Sequence, residues 1–284
     1  MDPVMDSNIS MHGWNSRAQN LMNEFSETAR RMGLDPDNQW VGGYVDCQWQ
    51  CLPAILSAYG VDVRGKRVLE FGSNVGASSV VMARLGALVD AVDTSADLVT
   101  LARTNACLHG VNVVFHHTQK ASLPFASSTF DFILCNSVLE YVDAEHLTAV
   151  IVEMNRVLAP GGHVLITGTS NRLWPREVHS RRWLMHWLPI RIDRLLGRGA
   201  RERGVNPFSL LATFGQLYEV VDVKDKGGAW LAARAAISRR RVAPFRYRAV
   251  AAIANRFQIA PGCLTPNISI LLTKRRREAR ESCS

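Results

Sequence analysis

Glu70-Phe71-Gly72-Ser73-Asn74-Val75-Gly76 is the stretch of this 284-residue chain whose residue types and spacing are best suited to chemistry. Glycines let backbone approach a ligand. The apolar run Val68 to Phe71 puts them at the carboxyl end of a strand, where open α/β sheets bind cofactors. Asp93, about twenty residues further on, closes a second apolar run, and a carboxylate there can accept both hydroxyls of a ribose. Asp93-Thr94-Ser95 serves equally as a helix cap, since Ser95 is a favoured N-cap type. Gly72 and Gly76 are spaced G-x-x-x-G, with Asn74 where the dinucleotide fingerprint has its middle glycine, and no Gly-Lys-Ser/Thr follows. Neither pyrophosphate loop is therefore present. Glu70 repels phosphates and suits a cationic ammonium or sulfonium.

A base that takes a proton from a hydroxyl is most often a histidine. Of the eight in this chain, His179 and His186 follow the fifth apolar run, and His179 is the expected base. His116 and His117, ending the third run, with His163 and His109, read as structural, and His12 and His146 as surface residues. The segment from Asn171 to Pro189 interleaves Trp174, Trp183 and Trp187 with Arg172, Arg176, Arg181 and Arg182. It reads as an acceptor-site insert, as an amphipathic element for a membrane headgroup layer, as a surface for stacking on nucleic-acid bases, or as a helix packed over the sheet with its arginines in water. Trp40, Tyr44 and Trp49 form a candidate lid, with core packing as the alternative. The six cysteines contain no C-x-x-C pair, so no metal is expected and reduced thiols in a cytoplasm are the default.

These residues need a frame. Apolar runs at Val68–Phe71, Leu88–Val92, Val111–His116, Phe130–Cys135 and His163–Thr167 alternate with helical patterns at Ala77–Leu85, Ser95–His109 and Glu145–Leu158, each ended by glycine or by Pro160-Gly161-Gly162. The alternation predicts a doubly wound, mostly parallel α/β sheet. Helices are expected at Asn15–Arg31, Tyr44–Tyr59, Ser209–Tyr218 and Pro244–Phe257, and strands at Glu219–Val223 and Ile268–Thr273. The expected division is an N-terminal helical cap or lid over 1–59 and a second unit over 60–284, with 171–208 as the acceptor-site insert. Apolar residues make up 47% and charged residues 20%, which excludes a disordered or collagen-like chain. No apolar stretch approaches the ~20 residues of a membrane span. The charge is divided: residues 1–170 hold 10 Lys/Arg against 17 Asp/Glu, and residues 171–284 hold 23 against 8. That basic rear half suits a solvated surface, a membrane surface or nucleic acid.

Five features in order carry a resemblance: Val68 through Gly76, Asp93, Leu123-Pro124-Phe125, Phe130 through Asn136, and Arg156-Val157-Leu158-Ala159-Pro160-Gly161-Gly162. Over roughly Val68 to Gly168 the chain resembles the class I S-adenosylmethionine-dependent methyltransferases, most of all the broad subgroup of ubiquinone and menaquinone methyltransferases. The resemblance implies a Rossmann-like sheet of seven strands, the last one antiparallel, with S-adenosyl-L-methionine across the strand ends. It implies that Gly72, Ser73, Asn74 and Gly76 line the methionine and ribose portion, Glu70 the amino end, and Asp93 and Thr94 the ribose. Asn136 would sit beside the methionine part, or only in a turn. Where the subgroup places an acid for the adenine amine, this chain has Gln119 followed by Lys120. Gln119 can accept from that amine through its carbonyl. Tyr141 and Glu140 follow the fourth strand, where related enzymes place an acceptor-facing residue, with buried packing as the alternative for Tyr141. Trp40 and Tyr44 of the lid and Trp174 and Trp183 of the insert are the other residues expected against the acceptor. The implied activity is methyl transfer to a hydroxyl or amine of a small-molecule metabolite. RNA or protein as acceptor and a non-catalytic partner subunit are the alternatives, although no RNA-binding module is appended. Oligomeric state is not legible.

Overall fold

The computed structural model describes residues 11–119, 122–176, 183, 204–238 and 244–276. The apolar runs form β1 (Arg67–Phe71), β2 (Leu88–Asp93), β3 (Val113–His117), β4 (Phe130–Asn136) and β5 (Leu158–Ser170). The central strands are apolar on successive residues because helices cover both faces, and Leu69, Ile133 and Leu134 are fully buried. Between the strands lie α3 (Ala77–Arg84), α4 (Ala96–Leu108) and α5 (Ala144–Val157). With β6 (Tyr218–Val220) and β7 (Asn267–Lys274), the seven strands take the order β3-β2-β1-β4-β5-β7-β6. Strands β1 to β5 pair in parallel, whereas β7 runs antiparallel to both β5 and β6. The chain winds outward from β1 through β2 to β3, then returns to β4 on the other side of β1. That reversal opens a crevice above the carboxyl ends of β1 and β4.

α1 (Met11–Arg31) packs along α4, and α2 (Tyr44–Ala58) packs between α3 and α8 (Gly228–Ile237). Phe25, Leu52, Ile55 and Leu56 from the N-terminal helices share one core with Val68, Phe132 and Leu134 of the sheet. The opposite face buries Met154 of α5 with Leu210 and Phe214 of α6 (Pro207–Phe214). No helix among the described residues is long and apolar enough to cross a membrane.

Boundaries shift where local chemistry overrides periodicity. The helix expected from Ser209 begins at Pro207, because Asn206 caps it by accepting from the Phe208 and Ser209 N–H groups. It stops at Phe214. The strand expected over Glu219–Val223 is shorter, since residues from 221 turn into α7 (Val221–Lys224). α8 has no counterpart in the sequence reading: Gly227 adopts φ 78° and the Asp225 carboxylate accepts from Gly227 and Ala229 N–H, so a glycine pair that looks like a breaker starts a helix. α9 (Phe245–Arg256) follows as expected.

Candidate functional site

The loop after β1 is shaped by contacts that each fix one feature. Gly72 N–H and Ser73 N–H both donate to Val92 O at 2.9 Å, fastening the loop to β2. Gly72 has φ +78°, and a Cβ there would overlap the Val138 side chain, so position 72 excludes every other residue on two grounds. We expect Gly72→Ala to destabilise the fold by about 1–3 kcal/mol, read as a lowered melting temperature. Asn74 is itself left-handed at φ 48°, which aims its N–H at Asp93 Oδ2, 2.8 Å away. Asp93 Oδ1 accepts from Ser95 N–H at 3.0 Å, and Ser95 Oγ accepts from Leu98 N–H to cap α4. The two sequence readings of Asp93-Thr94-Ser95 are thus compatible, since the cap positions the acid. Gly76 departs from the expectation. It lies behind the loop as the N-cap of α3, where a Cβ would press on Ala102, and it does not reach the cleft.

A cleft of about 1030 Å³ opens over this loop, at the upper end of the range of about 300–1,000 Å³ for small-molecule sites. Glu70, Gly72, Ser73 and Asn74 line one wall, and Asp93, Thr94 and Gln119 continue it. Asn136, the last residue of β4, donates from Nδ2 to Ser78 Oγ at 2.9 Å and to Tyr44 Oη at 3.4 Å. Trp40, Tyr44 and Tyr141 also line the cleft, Trp40 meeting Tyr44 edge-on with ring centroids 5.7 Å apart. Trp49 is exposed and is not on the wall, which removes it from the lid.

Glu70 is 2% exposed and accepts a hydrogen bond from Ser79 Oγ. Burial away from water pushes its carboxyl up to about 7 against the pull of the Ser79 and Ser78 hydroxyls, and neighbouring Asp93 adds to the rise. Tyr44 is pushed up to about 12, by burial first and by Glu70 second. Ser73 Oγ is buried with no hydrogen-bond partner among the described residues. A buried acid and an orphaned hydroxyl on one loop fit a ligand carrying a cation and polar atoms, as the amino and sulfonium end of S-adenosylmethionine does.

Several expected residues lie elsewhere. Trp174 and Trp183 are not on the cleft wall, and Trp183 is 67% exposed, bridging back to Arg176. His179, His186 and Lys120 lie outside the described residues. His146, read from the sequence as a surface residue, lines the cleft near Tyr141, with Nδ1 3.7 Å from Asp143 Oδ2 and 3.8 Å from Glu145 Oε1. The three side chains are close enough to share a cation, but exposed acids around a histidine also orient the ring on their own. Its position five residues beyond Tyr141, in the first turn of α5, was the available signal. Arg234 of α8 and Cys51 of α2 also reach the wall, and nothing near either in sequence marks them. His116 and His163 behave as structural residues, bonded to Asp90 and Thr273.

Residues 68–162 match the family model described as a methyltransferase domain. The ubiquinone biosynthesis O-methyltransferase of Cereibacter sphaeroides is 29% identical over 161 residues, covering 56% of this chain and 59% of that protein. The enzyme of the same name from Xanthomonas oryzae pv. oryzae is 36% identical over 113 residues, covering 39% of this chain and 46% of that one. The matched region thus spans less than two thirds of either relative's length. A SAM-dependent methyltransferase of Methanosarcina mazei with a solved structure is 28% identical, with a TM-score of 0.37 over 39% of this chain and 55% of that one.

Proposed function

Because the chain carries a class I S-adenosylmethionine-dependent methyltransferase domain, we propose that it methylates a hydroxyl of a small-molecule metabolite. The carrying observation is that one continuous cleft joins the Glu70–Asn74 loop to the wall bearing Tyr141 and His146. The names of the relatives support a hydroxyl over the amine that the sequence left open. When bound, S-adenosylmethionine supplies a methyl made electrophilic by its sulfonium. The chain's own residues must then hold an acceptor in line with that methyl, which is chiefly a matter of orientation.

Glu70 faces the cationic end of the cofactor, Ser73 Oγ gains the partner it lacks, and Asp93 accepts the ribose hydroxyls while Asn74 and Ser95 N–H hold it in place. Gln119 lies at the adenine end of this wall. Asn136 and Tyr44 flank the methionine portion. Tyr141 and Trp40 confine the acceptor, and His146 takes the hydroxyl proton: with Nδ1 turned towards Asp143 and Glu145, Nε2 is the nitrogen left for it. His179, the base expected from the sequence, is the competing candidate. Residues 60–284 act as the catalytic unit, with 171–208 as its insert, and the cytoplasm is its compartment.

Production of S-adenosylhomocysteine with a panel of catechols and phenols tests this reading, and failure to bind S-adenosylmethionine in calorimetry would sink it. Asp93→Asn keeps the loop's geometry but loses the charge. We expect it to weaken cofactor affinity about tenfold with little change in melting temperature, and unchanged affinity would remove Asp93 from the site.

A further inference from the structure

The cleft has a second pole. Arg234 extends from α8 to its wall, opposite α2, and its guanidinium lies 5.2 Å from the centre of the Trp230 ring and 6.0 Å from that of Tyr247. Aromatic faces hold the group in place without neutralising it. Among the described residues no carboxylate pairs with it and no oxygen accepts from it. The acid whose charge reaches it, Asp222, is committed: its Oδ1 accepts from Tyr59 Oη at 2.6 Å and its Oδ2 from Leu271 N–H at 3.4 Å. Asp225 is spent on capping α8 through Gly227 and Ala229 N–H. Burial works against the guanidinium's charge, and Tyr247, Tyr59, Cys51 and Asp222 only partly offset it. A half-buried cation with five donors and no acceptor is costly unless a ligand supplies one.

Position says which ligand. The groups that feel Arg234 are Cys51, Tyr59, Asp222 and Tyr247, whereas those around Glu70 are Ser78, Ser79 and Asp93. The cation therefore stands apart from the cofactor loop, towards Cys51 and Ile237. We propose that Arg234 forms an anion-binding subsite for the methyl acceptor, so that the substrate is a hydroxylated molecule bearing a carboxylate. The planar guanidinium fork matches two carboxylate oxygens, and the acceptor then spans the cleft with its anion at Arg234 and its hydroxyl towards the Tyr141 and His146 wall. This inference rests on the methyl-transfer reading for the identity of the cleft but not for the presence of the subsite.

The test uses 3,4-dihydroxybenzoate and its uncharged amide as matched probes on the full chain. Binding is measured by calorimetry and turnover by S-adenosylhomocysteine release, for the wild type, Arg234→Lys and Arg234→Met. The wild type is expected to bind the benzoate about tenfold or more tightly than the amide. Arg234→Met should abolish that preference, and Arg234→Lys should retain part of it. S-adenosylmethionine affinity should stay within about twofold of wild type in both variants, because the cofactor's carboxylate is not the anion read here. Equal binding of the two probes, or no binding of either at millimolar concentration, overturns the proposal. So does a loss of cofactor affinity in Arg234→Met, which would assign the guanidinium to the methionine carboxylate. Benzoate preference without any methyl release would uphold the subsite while failing the methyl-transfer reading. Melting temperatures separate binding loss from misfolding. Removing an unpaired half-buried charge is not expected to lower them, and Arg234→Lys keeps the question open to measurement should Arg234→Met fail to fold.

Discussion

Replacing His146 by alanine is expected to lower kcat by about 10²–10⁴-fold, the usual contribution of a general base. S-adenosylmethionine affinity should remain near wild type, since the residue lies on the acceptor side of the cleft, in the first turn of α5. The geometry that motivates this is an imidazole on the cleft wall with Nδ1 3.7 Å from Asp143 Oδ2 and 3.8 Å from Glu145 Oε1, so that Nε2 is the nitrogen turned away from the acids. A purely structural His146 would show a lowered melting temperature and unaltered turnover per folded molecule. A catalytic one would show lost turnover per folded molecule at an unchanged melting temperature. His179→Ala, made in parallel, decides between the two histidines. A stable His146→Ala enzyme with full turnover, beside a His179→Ala enzyme with little, would transfer the role to His179.

The contrast between those histidines shows what a sequence displays and what it conceals. The cleft wall that these residues form was legible because its parts are contiguous: Gly72, Ser73 and Asn74 are consecutive, and Asp93 ends the strand that pairs with β1. Their places on the wall follow from backbone conformation, and residue type records that directly. The strand order was legible for a similar reason, since alternating apolar runs admit few windings. Arg234 was hidden because its meaning depends on what is absent around it. The commitments of Asp222 to Tyr59, 163 positions away in sequence, cannot be read from Gly228–Ile237. Trp183 misled for the converse reason, because its aromatic and basic neighbours announce a binding element wherever the chain carries it. His146 lay among ordinary polar residues and became notable only once α5 was placed over the cleft. Gly76 has the right spacing for a cofactor glycine, but its lack of a side chain is required by Ala102 behind it and by its left-handed backbone.

Cofactor binding should depend on pH through Glu70. In the free protein its carboxyl is pushed up to about 7 by burial, so it is largely protonated at pH 6 and must ionise to face a cation. Affinity for S-adenosylmethionine should therefore be level above pH 7 and fall by up to about tenfold for each pH unit below it, until the lower pKa of the bound state is reached. At pH 6 binding should release close to one proton, measurable by calorimetry in buffers of different ionisation enthalpy. Glu70→Gln should bind about 10–100-fold more weakly at pH 8 and lose both the proton release and the pH slope, since a charge-assisted contact has been removed. Stability without cofactor carries the opposite signature. The unfolded carboxyl titrates near 4.5 and the folded one near 7, so between those values the native state holds the extra proton. The contribution of this group is accordingly greatest below pH 4.5, declines as pH rises through that window, and is level above 7. Glu70→Gln should remove that decline and melt higher than wild type at pH 8 in the absence of ligand. A variant that binds less tightly yet melts higher would show that the buried carboxyl is retained for the ligand at a cost to the fold. Parallel pH profiles of binding for wild type and Glu70→Gln would show instead that Glu70 does not meet the cation.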